Sequence, residues 1–139
     1  MICIGKYILV LFFLLVIPIY SNAQNYIGMH RDQIVQTMKE TQKHSKLNTD
    51  AVNTHYKYLK YEDKISEITT LYFLSEDNKC TMVRKMCDYS NINDILTELN
   101  ITYQPTGKNT WEYSDKGKTY SIILTEEDWF FTVTTRLKE

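Results

Sequence analysis

Apolar residues recur along this chain with two periods, that of a helix and that of a strand, and their order predicts the architecture. The first helical pattern sets Ile34, Val35 and Met38 on one face after the polar entry His30-Arg31-Asp32-Gln33. It predicts a helix over about 31–43, with Asp32 in the first turn and Gln33 where a capping-box partner stands. Lys39 and Lys43 fall toward its end, where the helix dipole favours cations. Polar residues over 45–53 read as a loop. From His55 the pattern changes to strands: a Tyr-rich segment over 55–62, a Thr- and aromatic-rich one over 68–75, and a third over 79–86 after the turn Glu76-Asp77-Asn78. Three strands joined by short turns predict an antiparallel meander.

The pattern then repeats. Ile92, Ile95, Leu96 and Leu99 form a cleaner amphipathic stripe, with Ser90 read as its N-cap and Pro105 and Gly107 beyond its end. Strands follow over 109–114, 118–125 and 129–137, separated by turns at Asp115-Lys116-Gly117 and Glu126-Glu127-Asp128. Leu74-Ser75-Glu76-Asp77 aligns with Leu124-Thr125-Glu126-Glu127 at an offset of 50, which carries Val83 onto Val133. At an offset of 52, Tyr61, Asp63 and Lys64 match Tyr113, Asp115 and Lys116. These matches are compatible with a duplication, half-repeats 24–87 and 88–139, and equally with convergence of short hairpins. The fold class they imply is α+β: a two-layer sandwich with two helices on one face of an antiparallel sheet of up to six strands, a tandem helix-and-three-strand unit.

The start of the chain carries a different signal. Lys6, an apolar run from Tyr7 to Ile17, Pro18 and the small-x-small triplet Ser21-Asn22-Ala23 form the pattern of an export signal cleaved after Ala23. The run falls short of the roughly 20 apolar residues that span a bilayer core, which disfavours a retained anchor. Cys3 precedes the run, so it does not stand where a lipid-attachment cysteine would. The expected product is exported, periplasmic or extracellular, a single domain from Gln24 to Glu139 with no stable membrane span. Losing Lys6 leaves 15 Lys and Arg against 17 Asp and Glu, and this acidic balance disfavours nucleic acid as a partner. Nine of the 11 Tyr remain after cleavage, enough apolar surface for one core.

Gly28-Met29, followed by a short polar cap, the apolar helix around Ile34 and a meander of strands, resembles the small exported domains of the outer-membrane assembly lipoprotein BamE. The tandem layout resembles the beta-lactamase inhibitory protein, whose two halves share a related helix-and-sheet unit. The first likeness covers half of the chain and the second the whole mature part. The chain departs from the lipoproteins in having no lipidation cysteine after the leader. Both resemblances imply a non-catalytic protein that binds another protein across its sheet.

The strands themselves suggest where such binding occurs. Tyr56 and Tyr58 alternate on one side of the first strand, and Trp111 and Tyr113 do so on the fourth, so these four are the expected partner-binding residues on an open aromatic sheet face. Tyr also suits any half-exposed strand. The alternative is a small-ligand carrier in which the same aromatics, with Trp129 or Phe131, line a pocket between sheet and helices. The acidic turns at Glu76-Asp77 and Glu126-Glu127-Asp128 are expected at one end of the sheet if the halves are repeats. They lack the ligand spacing of a calcium loop, and His30, His44 and His55 have no metal-ligand spacing with either mature cysteine. No metal or other cofactor is expected.

A nucleophile paired with a base does not emerge. Ser90 is used as a cap, Cys80 lies within a strand, His55 is a lone strand histidine, and the three mature glycines form no phosphate loop. Catalysis is therefore not expected. A Cys80 to Cys87 disulfide is disfavoured, since seven strand steps separate them by roughly 23 Å, against about 6 Å between bridged Cα atoms. Odd spacing also predicts opposite faces for the two thiols.

Overall fold

The computed structural model describes residues 25–49 and 55–139. The export signal expected over 1–23, and part of the loop expected over 45–53, lie outside the described residues.

Helix α1 (Arg31–Thr41) begins at His30, whose extended backbone (φ −68°) opens the first turn. His30 Nδ1 accepts the Asp32 N–H at 3.3 Å, and Gln33 Oε1 accepts the His30 N–H at 3.0 Å, a reciprocal capping box. Only Ile34 and Met38 are fully buried, a stripe that lays the helix on the sheet with one face and leaves the rest to solvent. Strands β1 (Ser45–Leu47), β2 (Tyr58–Asp63), β3 (Ile68–Leu74) and β4 (Cys80–Cys87) follow in a meander. A 3-10 turn, Tyr89–Asn91, leads into helix α2 (Ile92–Thr102). Asp88 caps the 3-10 turn, its carboxylate accepting the Ser90 N–H at 2.8 Å, and the N-cap position of α2 falls on Asn91, so Ser90 is not the N-cap of the helix. A second meander completes the chain: β5 (Gln104–Gly107), β6 (Thr110–Asp115), β7 (Lys118–Glu126) and β8 (Phe131–Leu137).

All eight strands form one antiparallel sheet in the order β1-β2-β3-β4-β8-β7-β6-β5. This corrects the expectation of up to six strands under two helices on one face. Two strands escaped the sequence pattern: β1 has only three residues, and β5 carries Pro105 and Gly107, which read as helix termination. The repeating unit is a helix and four strands. The layers differ too, because two helices of 11 residues each do not cover a sheet of this width. α1 packs over the first meander and α2 over the second, and the centre of that side stays open between them.

The units meet where β4 pairs antiparallel with β8, from Met82 opposite Arg136 to Cys87 opposite Phe131. An antiparallel seam between like strands relates the units by an approximate two-fold axis normal to the sheet. It follows that the acidic turns lie at opposite ends, because the β7–β8 turn is next to the end of β4 and the β3–β4 turn is next to its start. Their expected gathering at one end is corrected on this ground. Asp63 and Asp115 do occupy equivalent places, each opening the hairpin to the next strand. The second hairpin is closed by Lys116 and Gly117 in left-handed conformations (φ 49° and 76°), as a two-residue turn requires.

Two apolar clusters hold the sheet. Ile34 and Met38 of α1 meet Leu59, Tyr61, Tyr72 and Cys80; Leu99 of α2 meets Cys87, Trp111, Ile122, Leu124, Phe131 and Val133. The thiols thus sit at the two ends of β4, one in each cluster. Both point to the helix side although their spacing is odd, because Thr81 is skipped where Leu74 pairs with Cys80 and Phe73 with Met82.

Burial pushes both thiols up to about 11, against about 8.5 in an unfolded chain. Between those values the unfolded chain gives up thiol protons that the folded chain keeps, so stability falls as pH rises through this window. The urea midpoint should therefore drop more steeply from pH 8.5 to 11 in the native chain than in a Cys80→Ala, Cys87→Ala variant. Parallel pH profiles for the two proteins would exclude this linkage.

Candidate binding surfaces

Cross-strand register decides which residues share a surface. On the side away from the helices, one row runs Tyr58, Phe73, Met82, Arg136, Ser121, Glu112 and the next runs Lys60, Leu71, Arg84, Thr134, Ile123, Thr110. Every buried strand residue of the two clusters belongs to the other side. No described helix covers the first side, and its large apolar side chains (Tyr58, Leu71, Phe73, Met82, Ile123) remain partly exposed.

The four expected binding residues divide between the two sides. Tyr56 is 64% exposed and meets Phe73 edge-on at 6.4 Å between ring centroids. Tyr58 lies beside the same ring at 5.9 Å. Trp111, in contrast, is 3% exposed under α2, and its indole N–H donates to Asn100 Oδ1 at 2.9 Å. Tyr113 is half-buried on the same side as Trp111, between Tyr103 at 5.2 Å and Tyr120 at 4.9 Å. The structure therefore brings Tyr56 and Tyr58 together and removes Trp111 and Tyr113 from any surface shared with them. Strand alternation alone does not say which side a helix will cover; α2 settled it by placing Leu99 and Asn100 over β6.

Phe73 and Arg84 complete the patch, and the sequence reading passed over both. The Arg84 guanidinium lies 5.8 Å from the centroid of the Phe73 ring, within cation–π range, and its Nε–H donates to Thr134 Oγ1 at 3.1 Å. These contacts hold the cation against an aromatic surface facing solvent. The signal for Phe73 was available in the alternation Thr69, Leu71, Phe73 along β3.

The other candidates fare differently. Trp129, expected to open the last strand, is not a strand residue but stands 86% exposed in the β7–β8 turn, while Phe131, the other expected pocket residue, is core. That turn is braced by the Tyr89 hydroxyl, which donates to the Glu127 carbonyl at 2.6 Å. Asp77 is held below the usual carboxylate range by the Ser75 hydroxyl and, further, by Lys79 at 3.7 Å, so it already has local partners. Among the described residues no three His, Cys, Asp or Glu converge as metal ligands. His55 precedes β2 and is exposed. No described helix is long and apolar enough to cross a membrane.

No family model, curated protein or solved structure matches this chain.

Proposed function

We propose that the chain is an exported, non-enzymatic binding module that recognises another protein with the uncovered side of its sheet, as an inhibitor, an immunity protein or an envelope-assembly factor does. The observation that carries this reading is the patch of Tyr56, Tyr58, Phe73 and Arg84 on a side that no described element covers. Aromatic rings and a stacked arginine are the groups that dominate protein interfaces, since they give large contact area at low conformational cost. Lys60 and Glu62, paired at 2.6 Å, and Lys138 and Glu112, also at 2.6 Å, set charged groups on the same side, the order of apolar centre and polar rim found in protein interfaces. The export pattern over 1–23 supports a partner outside the cytoplasm.

The test uses the full chain immobilised against the envelope fraction and medium of its native host. A partner retained by the native chain should bind a Phe73→Ala, Arg84→Ala variant about 30-fold or more weakly, corresponding to the loss of about 2 kcal/mol at a hot spot. Both side chains are only partly buried, so thermal unfolding should change little. Equal affinity of the variant for that partner would remove the patch from the interface.

A further inference from the structure

Between the helices, the centre of the sheet is the floor of a cleft of about 370 Å³. A recess of about 110 Å³ continues it, sharing Val83, Lys85, Glu98, Tyr103 and Thr135. Tyrosine pairs stand on two sides of the cleft, although the two-fold axis does not exchange them, since Tyr113 is the counterpart of Tyr61 and Tyr72 that of Ile122. On one side Tyr26 and Tyr72 are in edge contact at 5.0 Å, and on the other Tyr103 and Tyr113 lie 5.2 Å apart. Burial holds all four phenols above their usual range, with the Glu98 charge adding to the effect at Tyr103, and the Tyr26 and Tyr72 hydroxyls already donate to Met38 Sδ at 3.6 and 3.2 Å, so these two offer the cleft ring surface. Two charges complete the lining, Lys85 from β4 and Glu98 from α2. Both are exposed, and among the described residues neither forms an ion pair.

We propose that this cleft binds a small zwitterion with a flat apolar body, an aromatic amino acid or a dipeptide bearing aromatic side chains. Its carboxylate is directed to Lys85, its ammonium group to Glu98, and its ring between the tyrosine pairs. A slot walled by tyrosines favours a planar group, through offset or edge-on ring contacts. One ammonium and one carboxylate at the same cleft favour a ligand carrying both signs over a purely anionic or purely neutral one. The inference is independent of the protein-binding reading, because it uses the opposite side of the sheet.

The experiment is isothermal titration of the full chain with phenylalanyl-phenylalanine and with its N-acetylated, C-amidated form. Saturable binding of the free dipeptide is expected, with affinity lowered about tenfold or more by Lys85→Met and by Glu98→Gln. The blocked dipeptide should bind more weakly by at least the same factor. Circular dichroism of the two variants should match the native chain, since both side chains are exposed. Absence of saturable binding to the native chain overturns the proposal; so does undiminished binding by either variant, or equal binding of the blocked dipeptide.

Discussion

Trp111→Ala is expected to destabilise the protein by about 3–5 kcal/mol, the range for removing a large aromatic from a core. The indole is 3% exposed and belongs to the cluster of Leu99, Ile122, Leu124 and Phe131. Its loss opens a cavity under α2 and leaves Asn100 without the N–H donor that it meets at 2.9 Å. Asn100 itself is exposed, so water replaces that donor and the cavity supplies most of the cost. Urea unfolding followed by tyrosine fluorescence reads the effect; a loss below about 1 kcal/mol would mean that Trp111 is a surface residue after all. A domain of this size has about 5–15 kcal/mol in all, so the substitution removes from about a fifth of that stability to all of it.

Phe131→Ala should be equally severe, at about 3–5 kcal/mol. Phe131 is 0% exposed at the start of β8, paired with Cys87 across the seam between the two units. The Tyr89 ring lies 5.7 Å from it, and Tyr89 in turn braces the β7–β8 turn through the Glu127 carbonyl. Removing Phe131 therefore loosens the seam and the turn together. Trp129→Ala, two residues earlier, provides the contrast. With Trp129 86% exposed, its replacement should change stability by no more than about 0.5 kcal/mol. Comparable losses in the two variants would contradict the placement of the β7–β8 turn.

The helices were legible because each has a stripe of apolar residues at helical spacing and polar punctuation at its ends. Gln33 pointed to a capping box before its partner His30 was identified. Six of the strands were legible for the corresponding reason, period-two alternation between turn residues. β1 and β5 were not, since three residues carry no measurable period and Pro105 with Gly107 argues against a strand on local grounds. Tertiary pairing overrode that local preference: β5 lies at the edge, next only to β6, where a proline is tolerated.

The patch proposed to bind was half legible. Alternation placed Tyr56 with Tyr58 and Trp111 with Tyr113; the second pair shares a side of β6, and the first meets at the Phe73 ring although Tyr56 stands just before β2. What alternation does not carry is the relation between strands, which depends on register and on where a helix lands. The bulge at Thr81 shows the same limit in one step, because a single skipped residue put Cys80 and Cys87 on the same side. The cleft was less legible still. Tyr26 precedes α1, Tyr103 follows α2, and Tyr72 and Tyr113 lie on strands far apart in sequence, so only the joining of the two units through β4 and β8 brings them around one space.

The central claim is that the side of the sheet covered by no described helix is the face that meets a protein partner. It is tested most directly by site-specific photo-crosslinking in the native host, with a photoreactive residue at position 56 on that side and, in a second strain, at exposed position 36 on α1. The account predicts a defined protein adduct from position 56 that disappears in the Phe73→Ala, Arg84→Ala background, with none from position 36. The same adduct from position 36, or no adduct from position 56, would contradict it.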